Sequence, residues 1–168
     1  MKTDSHTEEM EIVDVRAWVF SSPHNLEEYS DILKSILDPF VGNWKNEAHP
    51  TVSGRWEIRY GHFLVILADT PEAGISGCSM DQMRRKVRQV GEAIEVNLLG
   101  TDVYFRDKEG NMKCVSRPEF NVACKNGDVG PDTLVYDTTL TSLDALSDLE
   151  RPLKSSWHNK LYERTMGE

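Results

Sequence analysis

The residues predict an α+β fold: a ferredoxin-like (βαββαβ) antiparallel sheet with two helices on one face, followed by a mostly helical C-terminal segment. Three observations carry this. Val52, Gly54, Trp56, Ile58 and Tyr60 alternate with Ser53, Arg55, Glu57 and Arg59, the period of a half-exposed strand. Tyr29, Ile32, Leu33, Ile36, Leu37 and Phe40 recur at three and four, the period of an amphipathic helix. Strand and helix signals then follow in the order β-α-β-β-α-β-β, whose first six elements are those of the split βαβ sandwich.

Val15 to Phe20 (V-R-A-W-V-F) opens as a β-branched and aromatic strand. Asn25-x-x-Glu28 supplies a capping box for the first helix, and Pro39 is expected to end or kink that helix near Asp38. Gly61-His62 turns the alternating strand into Phe63-Leu64-Val65-Ile66-Leu67-Ala68, which is apolar on both faces and suits the centre of a sheet. Ser79-x-x-Gln82 reads as a second capping box, after which Met80, Met83, Val87, Val90 and Ile94 line one side of a helix. Val96 to Phe105 and Met112 to Val115 are expected strands, joined at Asp107-Lys108-Glu109-Gly110-Asn111. Beyond them, Ser116-Arg117-Pro118-Glu119 caps a short helix, Asn126-Gly127 and Gly130-Pro131 are turns, and Thr133 to Tyr136 is a short strand. Leu143, Leu146 and Leu149 mark another helix stopped by Pro152, and Ser155-Ser156-Trp157 opens the last. The expected organisation is an acidic, disordered tail over 1–14, a core domain over 15–117 and a segment over 118–168 packed on it.

With 168 residues, 39% of them hydrophobic, the chain is long enough for a core without staples and has the balance of a soluble domain. No apolar run approaches the ~18 residues of a membrane span. Residues 1–14 carry Asp4, Glu8, Glu9, Glu11 and Asp14 against Lys2 alone, which is unlike a secretory signal. Three cysteines with no C-x-x-C pair make a disulfide framework or a zinc cage improbable and point to a cytoplasmic setting. A net charge of −9 disfavours nucleic acid as a partner. The exception to the acidic balance is Arg84-Arg85-Lys86-Arg88, whose ordinary reading is a solvated helix face and whose sharper one is contact with a small anion or an acidic partner.

Chemistry concentrates in Ser76-Gly77-Cys78-Ser79-Met80-Asp81, between the central strand and the second helix. A thiol beside a helix N-terminus is activated by the dipole and by unpaired N–H groups. Asp81 in the same turn opposes that activation, and free cysteine is as often simply buried. Asp69 ends the preceding strand. Ser76, Gly77, Cys78, Ser79 and Asp81 are therefore candidate ligand-binding residues, and Cys78, Asp81 and Asp69 candidate catalytic ones, with His62 or His49 as a base the fold would have to deliver. Cys78 and Arg84 have the C-x5-R spacing of phosphatase loops, but Ser79 to Met83 is too bulky and helical for a phosphate cradle. Trp18, Trp44, Trp56 and Trp157 are expected in the core or around an aromatic pocket, and His158 is expected on the solvent side of the terminal helix. No histidine has metal-ligand spacing, and neither metal nor cofactor is implied.

Three blocks resemble a known family. They are Arg16-Ala17-Trp18-Val19-Phe20; Phe63-Leu64-Val65-Ile66-Leu67-Ala68-Asp69 leading into Ser76-Gly77-Cys78-Ser79-Met80-Asp81; and Asp132-Thr133-Leu134-Val135-Tyr136-Asp137 with Pro152-Leu153-Lys154-Ser155-Ser156-Trp157. Together they are similar to a family of small bacterial proteins often labelled "ABC transporter ATPase". The label does not fit the residues: a P-loop needs G-x-x-x-x-G-K-S/T, and the sequence has none. The expectation is a small-ligand-binding or protein-interaction protein with its site at 69–81, taking a small anion or a protein partner, with a homodimer open. The alternative is a small enzyme with Cys78 as nucleophile.

Overall fold

A computed structural model describes residues 12–47, 53–71 and 75–167. The expected tail lies outside them as far as residue 11, and residues 12–14 already belong to a strand. The chain divides into two compact units, one running through Leu99 and including Thr141–Asp144, the other made of Gly100–Leu140 and Ala145 onward. The division thus falls after Leu99, where the sequence placed it after Arg117.

The first unit holds strands β1 (Ile12–Ser21), β2 (Ser53–Arg59) and β3 (Phe63–Pro71) in the order β1-β3-β2, antiparallel throughout. Helices α1 (Ser30–Glu47) and α2 (Gly77–Ile94) bury one face of that sheet. Trp18, Phe20, Leu64, Ile66 and Ala68 on the strands meet Leu33, Leu37, Phe40, Trp44, Met83, Val87, Val90 and Ile94 on the helices. On the other face of β3, Phe63, Val65 and Leu67 are buried as well, as its two-sided apolar run required. The three-residue turn between β2 and β3 needs positive φ at Tyr60 and Gly61. Gly61 O there accepts from Leu26 N–H at 2.7 Å.

Several local expectations are corrected. Asn25 accepts from Glu27 N–H, starting a 3-10 turn over Leu26–Tyr29 rather than a box with Glu28. α1 continues through Pro39 to Glu47. An interior proline costs about 3 kcal/mol. Burial of Phe40 and Trp44, at 7% and 1% exposure, offsets that by roughly 1.5–3 kcal/mol each.

Most consequential for topology, the strand expected over Val96 to Phe105 forms only as β4 (Val103–Arg106). Glu95 ends α2 in the left-handed region, and Val96 N–H returns to Gly91 O at 2.9 Å. Asn97 Oδ1 then takes Leu99 N–H at 3.1 Å. With these bonds local, β4 pairs with β5 (Met112–Val115) and β6 (Leu134–Tyr136), not with the first sheet. The free edge of β1 instead meets residues 141–143 through an Arg16–Ser142 bridge, Ala17 N–H to Thr141 O (3.0 Å) and Leu143 N–H to Val15 O (2.9 Å).

The second unit is a four-stranded antiparallel sheet ordered β5-β4-β6-β7, with β7 at Glu150–Pro152. Helices α3 (Arg117–Lys125) and α4 (His158–Met166) pack against each other, and Phe105, Phe120, Cys124, Val129, Val135 and Leu153 form the core. The capping box at Ser116 and Glu119 is present in both directions. The helix expected around Leu143 to Leu149 is a 3-10 turn over Asp144–Asp148 leading into β7. Among the described residues no helix is long and apolar enough to cross a membrane.

Candidate functional site

The sequence placed its site at 69–81, and the structure reorganises it. The N-cap of α2 is Ser76, three residues before the expected Ser79. Ser76 Oγ accepts from Ser79 N–H at 3.1 Å and donates to Ser79 Oγ at 2.9 Å, while Met80 N–H bonds Ser76 O at 3.1 Å. Two amides of the first turn are thereby satisfied from within the chain. Ser79 is buried rather than presented. Gly77 and Cys78 occupy the exposed first turn, and exposed Asp81 falls in the second.

Asp69 pairs with Arg55 at 3.5 Å across the β2–β3 ladder. Among the described residues no hydrogen bond or ion pair joins it to Ser76, Cys78, Ser79 or Asp81. His62 sits at the start of β3, with Nδ1 2.9 Å from Ser22 O, at the opposite end of that strand from Asp69. It is no base for Cys78, and His49 lies outside the described residues. The loop carries an exposed thiol, and among the described residues no hydrogen bond joins that thiol to a base. The other two thiols are held protonated: burial pushes Cys124 up, and burial pushes up Cys114, whose Sγ lies 3.6 Å from Asp102 Oδ2. Among the described residues no three His, Cys, Asp or Glu side chains gather to hold a metal ion.

The second unit carries two adjoining cavities. One lobe, about 690 Å³, opens between the β4–β5 turn and the stretch from Gly127 to Leu134, with Arg106 on one wall and Pro131 and Thr133 on the other. Gly110, Gly127 and Gly130 edge it, and at each a side chain would meet nothing within 4 Å, so a ligand's backbone can approach closely. A second lobe, about 360 Å³, has Phe105, Val115 and Ala123 as apolar lining and Lys113 and Glu109 at its rim. Asp107, Lys108 and Asp128 line both lobes, so the two adjoin at the β4–β5 turn.

Their walls are fixed by the chain. Asp107 Oδ1 accepts from Glu109 and Asn111 N–H at 3.0 and 2.8 Å. Those backbone hydrogen bonds hold the Asp107 carboxyl below its ordinary range. Gly130 N–H donates to Thr133 Oγ1 at 2.9 Å, and Thr133 N–H to Gly130 O at 3.1 Å. Arg106 Nε donates to Tyr136 Oη at 2.8 Å, and its Nη1 donates to Gly110 O at 3.2 Å. Tyr136 Oη in turn donates to Glu150. Burial and Glu150 push the Tyr136 phenol well above its ordinary value.

The same unit contains the clearest buried polar cluster. Asp137, its side chain 3% exposed, accepts from Arg151 Nη2 at 2.6 Å and from Thr139 N–H at 3.0 Å. Burial alone would raise Asp137, but the Thr139 and Arg151 hydrogen bonds outweigh it and leave its carboxyl below the usual range. His158, expected at the solvent face, is 1% exposed. Its ring stacks on Trp157 at 3.9 Å and stands edge-on to Phe120 at 6.1 Å, with Nδ1 2.7 Å from Ser156 Oγ. Burial drives its pKa down to about 4, with Asp137 opposing and Arg117 and Arg151 adding to the shift.

Sequence reasoning took Asp107 to Asn111, Asn126-Gly127 and Gly130-Pro131 only as turns. Their signal was there: three glycine-bearing turns, each beside a charged residue, that the fold brings to one side of β4. No protein-family model, no curated protein and no solved structure matches this chain.

Proposed function

We propose that the chain is a non-catalytic protein-interaction module and that its second unit receives an extended segment of a partner protein in the two-lobed groove. The observation that carries this is the groove itself, an apolar lobe and a glycine-edged lobe meeting at Asp107, Lys108 and Asp128. An extended peptide needs both kinds of surface: a pocket for one apolar side chain and bare backbone along which its main chain can run. Asp128 and Lys108, with no ion pair among the described residues, supply the charge that sets its direction. The open shape favours a peptide over a small molecule, which binds best when mostly enclosed.

The first unit is then the scaffold. We read it as a ferredoxin-like frame whose fourth place, beside β1, is taken by residues 141–143, as their antiparallel bridge to Arg16 supports. The three free thiols suit a cytoplasmic location. The bacterial family likeness belongs to the same proposal.

The test is selection of displayed random peptides against the whole protein. Ala123→Arg, which fills the apolar lobe, should weaken the selected peptides about tenfold or more. Cys78→Ser should leave them unchanged. Peptides that tolerate Ala123→Arg and are lost with Cys78→Ser would return the site to the 76–81 turn and overturn this reading.

A further inference from the structure

A second concavity, in the first unit, takes no part in that function. It lies between α1 and α2 and encloses about 270 Å³, with Ile36, Pro39 and Phe40 on its apolar side and Gln82 and Lys86 on the facing helix. Trp44 also lines it. That indole is 1% exposed, and among the described residues its buried Nε1–H has no acceptor. The Cε3–Cζ3 edge of the ring is the one turned to β2, since a Cβ built on Gly54 would lie 2.7 and 3.0 Å from those atoms. Nε1 belongs to the opposite edge and is directed away from that strand.

Native proteins rarely leave a buried donor without an acceptor, and a donor on a residue that lines a cavity is a place where a bound acceptor would satisfy it. The charge beside it selects the kind of acceptor. In a chain of net charge −9, Arg84-Arg85-Lys86-Arg88 is a cationic exception. Lys86 is the member that lines this groove, its Nζ 3.4 Å from Gln89 Oε1, while Arg84, Arg85 and Arg88 are exposed.

We propose that the α1–α2 groove binds a small carboxylic acid with an apolar body. The carboxylate accepts from Trp44 Nε1–H and pairs with Lys86, and the hydrocarbon lies on Ile36, Pro39 and Phe40. The long side chains of Gln82 and Lys86 form the movable wall that admits it. The volume sits at the low end of ligand pockets, which suits a chain or ring smaller than a drug-sized molecule. This site is independent of the peptide groove, and either can fail without the other.

The experiment titrates the 15N-labelled whole protein with sodium octanoate, and in parallel with 1-octanol and octylamine. Octanoate should bind saturably and move the Trp44 indole N–H resonance, assigned by its disappearance in Trp44→Phe. Octanol and octylamine, with the same tail and no carboxylate, should bind about tenfold more weakly or worse, the value of a charge-assisted hydrogen bond. Lys86→Gln, a surface change that leaves the core intact, should weaken octanoate by a similar factor and leave octanol unchanged. The proposal is overturned if octanol binds as tightly as octanoate, if Lys86→Gln has no effect, or if the Trp44 resonance stays still at saturation.

Discussion

His158 offers the sharpest quantitative test of the second unit. Its imidazole is 1% exposed, and burial lowers its pKa from 6.5 to about 4. In the unfolded chain the ring takes up a proton near its ordinary value; in the folded chain it resists until far lower pH. The unfolded state therefore binds more protons between those two values, and stability falls as pH falls through that window. Above pH 7 both states are neutral at this position and the contribution is complete. The charged groups around the ring, Asp137 favouring protonation and Arg117 and Arg151 opposing it, are already included in the shift. Linkage then gives a loss of about 2 kcal/mol between pH 7.5 and pH 5 from this one residue, and about 3 kcal/mol by pH 4. Urea unfolding at a series of pH values measures it, with His158→Gln as the non-titrating reference. Wild type minus variant should fall by about 2 kcal/mol over that interval. If the two stabilities run parallel from pH 7.5 to 5, His158 is not a buried neutral imidazole and the packing of α4 described above is wrong.

Other substitutions follow from the same geometry. A Cβ at Gly91 would lie 2.6 Å from Val96 O, a backbone atom of the residue whose N–H is bonded to Gly91 O. Gly91→Ala should thus lower stability by about 1–3 kcal/mol, more than Gly54→Ala, whose clash is with the Trp44 ring; thermal unfolding ranks the two. Asp137→Ala leaves Arg151 without its carboxylate in a site where the aspartate is 3% and the arginine 25% exposed. It should cost about 3 kcal/mol, and a double-mutant cycle with Arg151→Met should recover part of that loss.

Legibility in the sequence followed locality. The hairpin of β2 and β3, the buried stripe Met83, Val87, Val90 and Ile94, and the Ser116–Glu119 box were readable because each rests on residues a few positions apart. Where two local signals competed, a longer-range contact decided. Ser79 read as the N-cap, but Ser79 is buried and Ser76 takes the role. Pro39 argued for an end or a kink; the helix does not end there, and Phe40 and Trp44 beyond it fill the core. Val96 to Phe105 carried strand residues throughout, yet the bonds at Gly91 and Asn97 turned the chain away before β4. At 69–81 the sequence offered residue types but not their partners. Cys78 is exposed, but Asp69 is paired with Arg55, and His62 is bonded to Ser22 O instead. His158 carried no periodic signal at all, because stacking on its neighbour Trp157 and contact with Phe120 exist only in the folded unit.

The most direct measurement is backbone amide mapping by NMR of the whole protein as a selected peptide is added. The account predicts that the largest shifts fall on Phe105 to Gly110, Val115, Ala123 and Gly127 to Leu134, with the turn at Ser76 to Asp81 unmoved. Shifts centred on Cys78 and its neighbours, with the groove of the second unit silent, would contradict it.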